Sequence, residues 1–283
     1  SAELKKVMRL KPQKLKTQSK ERLDVLISDR GLTESREKAR RLILAGEVSI
    51  GGNTDLKPGQ LFPLHTEIDI RETPKYVGRG GIKLEKAIRD FELLVDGMVA
   101  IDVGASTGGF TDCLLQNGAK FVYAIDVGYG QLAWKLRQDS RVDVIERTNI
   151  RRVSFAQFSL PIDIAVIDVS FISLKKVIPT IIGLIKPTGD ILALVKPQFE
   201  VGRGLVEKGG VIRDPQVHTD VLHGLIEFIM ELNLFVMAIS FSPIRGAAGN
   251  IEFFIWMKYD NTNQRKWSDR VKYVVQNAHL TLS

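Results

Sequence analysis

Cysteine is nearly absent from this sequence, which excludes a whole class of scaffold. The one thiol, Cys113, cannot build a disulfide framework and points to a reducing, cytoplasmic setting. Histidine is scarce too: His65, His218, His223 and His279 are scattered without ligand spacing, so no metal site is expected. No apolar run approaches the roughly 20 residues of a membrane span. Even an apolar stretch such as 162–169 carries Asp163 and Asp168. No apolar segment follows the basic start, so no signal peptide is expected, and the partner is not expected to be a membrane. With 283 residues, 44% of them hydrophobic, the composition suits a globular chain of two modest domains.

Charge is present but unevenly placed. Residues 1–83 hold 18 Lys/Arg against 11 Asp/Glu, while the remaining 200 residues hold 22 of each. The whole net charge of +7 therefore sits in the first third. A basic module joined to a neutral one suits a polyanion, because each cation near a phosphate releases condensed counterions. A merely solvated basic surface, or an anionic membrane surface, has the same composition.

Residues 1–18 are basic and without pattern and read as a flexible arm. From Ser19, a candidate cap, Leu23, Leu26 and Ile27 fall at helical spacing until Gly31. A second helix is expected from Thr33 to Gly46, with Arg36, Lys38, Arg40 and Arg41 on its polar side. Short strands follow at 48–50 and 67–70, separated by the turn-forming runs Gly51-Gly52-Asn53 and Lys57-Pro58-Gly59. The run RLDVLISDRGLTESREKARRLILAGEVSIGG, with KPGQ after it, resembles the alpha-L RNA-binding module of ribosomal protein S-four. The resemblance implies a small α+β domain over 19–70 that grips structured RNA, with those four basic residues as phosphate contacts.

Residues 71–81 (RETPKYVGRGG) read as a linker, and 82–283 as the second domain. There, candidate strands at 99–103, 121–126, 143–145, 162–168, 190–195, 234–240 and 252–256 alternate with helical stretches, including 215–231. Alternating βα units imply a parallel sheet covered on both faces. The short connection FSPIRGAAGN makes the last two strands antiparallel neighbours. This is the seven-stranded, Rossmann-like α/β layout expected of a class I methyltransferase.

The clearest chemical signal is IDVGASTGGF, a strand that ends at Asp102 and Val103 and passes through a small-residue loop into a helix. Gly104 and Gly108 allow a ligand to approach bare backbone, and the helix start offers unpaired N–H groups. The glycines fall at 104, 108 and 109, with Ser106 between, which departs from the dinucleotide fingerprint G-x-G-x-x-G. The candidate ligand is S-adenosylmethionine, with Asp102, Gly104, Ser106, Gly108, Gly109 and Phe110 as cofactor-binding residues; an Asp at position 102 resembles that of methyltransferases, where it supports the loop and the methionine end. Asp126, closing the next strand, is placed to accept from ribose hydroxyls, and Asn149 to read adenine. Asp126 would serve a dinucleotide equally well.

Four ionisable residues stand beside apolar runs: Lys83 in RGGIKLEKA, Asp168 in AVIDVSF, Lys196 in LALVKPQF and Glu252 in NIEFFIW. Charges so placed are costly unless paired, and strand ends border the ligand crevice. This Lys-Asp-Lys-Glu set resembles the tetrad of FtsJ-class ribose 2′-O-methyltransferases. VGRGGIKLEKA, DVGASTGGFTDCLLQNGA, AVIDVSFISL and LVKPQFEVGR extend the resemblance to the TlyA-type family, long labelled hemolysins and associated with ribosomal RNA methylation. It implies catalysis by Lys83, Asp168, Lys196 and Glu252, with Asp168 also at the cofactor. A ribose hydroxyl needs a positioned base. Lys83 is assigned as activator, Asp168 and Lys196 as holding the hydroxyl, and Glu252 as organising the lysines, although either lysine can take the proton. No metal is required.

The glycine-rich stretch after Lys196, with Glu200, Arg203 and Lys208, reads as a lid or substrate contact, Arg245 as a phosphate contact, and Phe171 and Phe199 as stacking or core residues. Other readings are an RNA base methyltransferase, a non-catalytic RNA-binding protein, and a membrane-lytic protein. The Asn/Asp-Pro-Pro-aromatic motif of base amine methylases is missing, since the fourth strand is followed by Asp168-Val169-Ser170-Phe171.

Overall fold

A computed structural model describes residues 19–71, 74–202, 209–259 and 266–282. The arm at 1–18, and Arg203 and Lys208 of the expected lid, lie outside the described residues. The chain divides into two units, one ending at Pro74 and the other beginning at Lys75.

The first unit is built from β1 (Lys20–Arg22), α1 (Leu23–Asp29), α2 (Arg36–Leu44), β2 (Val48–Ser49), β3 (Leu61–Pro63) and β4 (Asp69–Ile70). Leu23, Ile27, Ala39, Ile43, Val48 and Leu56 form its core. Two helix starts differ from the sequence expectation. Ser19 caps nothing, because Lys20–Arg22 pair antiparallel with Leu61–Pro63, a long-range contact with no local signal. Ser35, not Thr33, caps α2: its hydroxyl accepts from the Lys38 N–H at 3.2 Å, while the Thr33 hydroxyl donates to the Ser35 carbonyl.

The second unit runs α3 (Gly80–Asp90), β5 (Val99–Val103), α4 (Gly109–Gln116), β6 (Phe121–Ile125), α5 (Trp134–Arg137), β7 (Val142–Ile145), β8 (Ile162–Ile167), α6 (Ile178–Ile182), β9 (Ile185–Val195), α7 (Pro197–Glu200), α8 (Pro215–Glu231), β10 (Phe235–Phe241), β11 (Phe253–Lys258) and α9 (Ser268–Thr281). Its seven strands are ordered β10-β11-β9-β8-β5-β6-β7, with β11 antiparallel to both neighbours. All five residues of β5 are buried, as a strand with both faces covered requires. Val99, Ile101 and Val103 face one core with residues of α6, α8 and α9; Ala100, with Val122 and Ile164, faces the other, against residues of α3 and α4. β9 starts five residues before the expected Asp190. Ile185 pairs with Ile162 and Asp190 with Ile164, so the turn-like Lys186-Pro187-Thr188-Gly189 is a bulge within the strand.

Residues 75–81 are not a linker. Tyr76 is buried, the Val77 N–H donates to Asp112 at 2.9 Å, and α3 has begun by Gly80. The glycines here serve close approach: a β-carbon on Gly81 would lie 2.2 Å from the Tyr76 ring.

Candidate active site

β5 is paired with β6 on one side and β8 on the other, and at such a reversal of strand order a crevice opens beyond the carboxyl ends. A cleft of about 430 Å³ lies there, lined among others by Gly104, Ser106, Asp126, Asn149, Asp168 and Phe171. The turn after β5 depends on Gly104. Its φ is +88°, and a β-carbon would sit 2.3 Å from the Asp168 carbonyl oxygen. Both Gly104 and Ala105 donate to the Ile125 carbonyl, at 2.9 and 3.0 Å.

Asp126 holds the cleft's rim together. One carboxylate oxygen accepts from the Ser106 N–H at 2.7 Å, the other from the Gly128 N–H at 2.6 Å. A carboxylate has about four acceptor positions, so capacity remains for a ligand's hydroxyls. The Asn149 side-chain carbonyl accepts from the Arg151 N–H at 3.1 Å, which leaves its amide N–H₂ to donate.

Four residues expected around the cofactor are not on the cleft wall. Phe110 is buried and stacks on Phe254, ring centres 6.2 Å apart. Gly108 turns toward α5, where a β-carbon would meet Leu136 at 2.2 Å, and Gly109 packs against Gly78, Gly80 and Gly81. These small residues let helices pack closely, a use that the same sequence pattern cannot distinguish from ligand approach. Asp102 is fully buried beneath the turn. One of its oxygens accepts from the Thr111 hydroxyl at 2.7 Å and the other has no protein partner. Desolvation pushes its carboxyl up to about 7.

The structure brings Lys83, Asp168, Lys196 and Glu252 together from four distant points of the chain. Lys83 on α3 reaches the Glu252 carboxylate at 2.5 Å, both side chains buried. Lys196, just past β9, forms an ion pair with Asp168 at 2.7 Å and donates to the Ser170 hydroxyl at 2.8 Å. Burial pushes the Glu252 carboxyl up and the charge of Lys83 opposes it; the charges of Lys196 and Asp168 act on it as well. The loop before β11 closes over Glu252 so tightly that a β-carbon on Gly246 would lie 2.3 Å from its carboxylate. Of the two lysines, Lys196 is the one bonded to residues of the cleft wall, Asp168 and Ser170. The sequence reading missed Ser170, Thr148 and Gln131 on that wall, since lone polar residues in loops carry no periodic signal.

Other expected contacts are placed differently. Arg245 is spent internally, donating to the Leu282 carbonyl at 2.9 Å and to the Gly249 carbonyl at 2.9 Å, which removes it as a free phosphate contact. Phe171 is 90% exposed with φ of +64°, and its ring leans on Phe199 at 5.0 Å. Within the first unit, Arg36 bonds the buried Asp24 at 3.0 Å and Lys38 bonds Glu34 at 2.9 Å. Arg40 and Arg41 are exposed and form no ion pair among the described residues; with Arg36, Glu37 and Leu44 they line a shallow hollow.

Comparison with known proteins bears on both units. Residues 76–259 match the model of the FtsJ-like methyltransferases, and residues 21–63 match the S4 domain. YqxC of Bacillus subtilis, by its name a candidate rRNA methyltransferase, is 50% identical over 94% of this chain and 96% of its own. The 16S/23S rRNA (cytidine-2′-O)-methyltransferase TlyA of Mycobacterium tuberculosis is 43% identical over 84% of this chain and 89% of its own. A solved structure described as a candidate hemolysin, from Streptococcus thermophilus, is 44% identical, covers 94% of this chain and 98% of its own, and superposes with a TM-score of 0.71. The chain belongs to the FtsJ-like methyltransferase family, carrying an S4 domain ahead of the methyltransferase domain.

Proposed function

We propose that this protein transfers a methyl group from S-adenosylmethionine to a ribose 2′-hydroxyl of ribosomal RNA. The observation that carries the reading is the pairing of Lys83 with Glu252 and of Lys196 with Asp168 beside the cleft under the Gly104 turn. The cleft's residues fit the donor. Its volume suits a small-molecule site, and Ile125, Val127, Ile150 and Val177 offer apolar wall to an adenine. Asp126 accepts from a diol, and the unpartnered oxygen of Asp102 is a buried acceptor near the turn. When bound, S-adenosylmethionine supplies an electrophilic methyl on a sulfonium.

The residues then divide the work. Lys196, held by Asp168 and Ser170 at the wall, is assigned as the proton acceptor, in place of Lys83, which the sequence reading took as activator. Its amine would take up the proton that the 2′-hydroxyl gives up on methylation. Asp168 orients Lys196 and Glu252 orients Lys83, whose ammonium adds a second positive charge beside the forming nucleophile. Most of the remaining rate comes from alignment of the reacting atoms. The exposed Arg40 and Arg41 of the S4 domain are assigned to RNA phosphates, and ribosomal RNA in the cytoplasm is the proposed substrate. TlyA of Mycobacterium tuberculosis is named for that chemistry on cytidine. Among the described residues no helix is long and apolar enough to cross a membrane.

The test is tritiated-methyl transfer to small and large ribosomal subunits that lack the modification, followed by alkaline hydrolysis. The expected product is an alkali-resistant dinucleotide, because a 2′-O-methyl blocks cleavage at that linkage. Label recovered on a base would replace the ribose assignment.

A further inference from the structure

The segment after β8 is held in an unfavourable conformation by the chain just past β9, in part by groups outside the tetrad. Val169, Ser170, Phe171 and Ile172 line the cleft, and Phe171 has a left-handed φ of +64°, costly for a bulky residue. Such strain persists only where the surroundings over-determine it. Three successive contacts from the chain just past β9 do so. Lys196 donates to the Ser170 hydroxyl at 2.8 Å. Phe199 packs on the Phe171 ring at 5.0 Å. The Glu200 carboxylate accepts from the Ser173 hydroxyl at 2.6 Å and from the Leu174 N–H at 2.8 Å. The Ser173 hydroxyl in turn accepts from the Lys175 N–H at 3.1 Å, starting the short turn 174–176 that ends the segment.

We propose that Glu200 is a positioning residue for methyl transfer, a carboxylate clamp that fixes the 169–173 segment and so the placing of Asp168, Ser170 and Phe171 in the cleft. The proposal rests on the methyltransferase reading above. Glu200 touches neither the cleft nor the tetrad; it acts through Ser173 and Leu174. Burial pushes its carboxyl up, while the bonds from Leu174 and Ser173 draw it back down, so it is held by the contacts it makes. It is half-buried behind the segment, and sequence reading placed it in a substrate lid, whereas α7 holds it inward.

The test compares Glu200→Ala, Glu200→Gln and Ser173→Ala in the full-length protein. Glutamine keeps an acceptor for Leu174 and supplies a donor to the Ser173 oxygen, so turnover should stay close to wild type. Alanine at 200 should lower kcat roughly 10- to 100-fold, the cost of about an ångström of misplacement, with a smaller effect on KM for RNA. Ser173→Ala loosens the same clamp from the other side and should move kcat in the same direction. Hydrogen exchange of the 169–174 amides, read without cofactor or RNA, should quicken in both alanine variants and not in Glu200→Gln. Unchanged exchange and unchanged kcat in the alanine variants would overturn the proposal. So would failure of glutamine to rescue, which would make the charge itself the requirement. Quickened exchange in a protein whose wild type methylates no ribose would uphold the clamp and defeat the reading it serves.

Discussion

Replacing Lys83 by methionine separates the charge of the Lys83–Glu252 pair from its bulk. Methionine keeps most of the apolar stem, and it leaves Glu252, 2% exposed, without its partner. Breaking a buried pair in this way costs about 3–5 kcal/mol, since the remaining charge is uncompensated. For a unit of about 200 residues that lowers the melting temperature by roughly 6–20 °C. The cost should depend on pH. Burial already holds the Glu252 carboxyl above its ordinary value of 4.5, and loss of the lysine raises it further. A carboxyl raised in the folded state stabilises fully below its unfolded value and loses that contribution as pH rises toward its folded value. The deficit of Lys83→Met should therefore grow from pH 5 to pH 8, by at most about 1.4 kcal/mol per pH unit. A Lys83→Met/Glu252→Met double variant, apolar on both sides, should recover much of the stability and lose the pH slope, while transferring no methyl groups. Melting curves by circular dichroism at the two pH values, with tritium transfer on the same samples, read all of this. A single variant whose deficit is the same at both pH values, and no smaller in the double variant, would refute the buried-charge argument.

Gly104→Ala should abolish cofactor binding measured by calorimetry, because the added carbon meets the Asp168 carbonyl at 2.3 Å at a φ of +88°; an alanine protein with wild-type affinity would disprove the need for glycine there. His218 is fully buried, 2.9 Å from His279, and desolvation holds it at about 4. Its neutral form belongs to the folded state, so its contribution is complete above the unfolded value of 6.5 and is lost as pH falls from there toward 4, by roughly 3 kcal/mol. Chemical denaturation at pH 7.5 and 5 should show about 2 kcal/mol of that loss, and His218→Phe should show less of it. Arg40→Glu/Arg41→Glu should weaken binding to ribosomal RNA and flatten its salt dependence while leaving cofactor affinity unchanged; an equal loss of both would contradict the assignment of these arginines to RNA.

Much of this architecture is written in local pattern. The all-buried β5, the alternation of strands and helices, and the reversal at FSPIRGAAGN can be read from apolar runs and turn residues, because each depends on neighbours within a few positions. The tetrad's residue types are also legible, since a lysine after five apolar residues must find a partner. What local pattern could not decide is which groups meet. Glycine serves ligand approach at 104 and helix packing at 108 and 109, and those uses look alike until α3 and α5 are in place. Arg36, Lys38, Arg40 and Arg41 are equivalent on a helical face, yet Asp24 and Glu34 take up the first two. Lys196 rather than Lys83 borders the cleft only because β8 and β9 are neighbours, and Glu200 turns inward because Ser173 and Leu174 wait there with unpaired donors. By itself the sequence determined the strands and helices of the central sheet, the two-domain order and the kinds of charge that had to be buried. Tertiary structure alone decided the pairings, because hydrogen bonds and ion pairs act over about 3 Å between residues that the chain separates by as many as 169 positions.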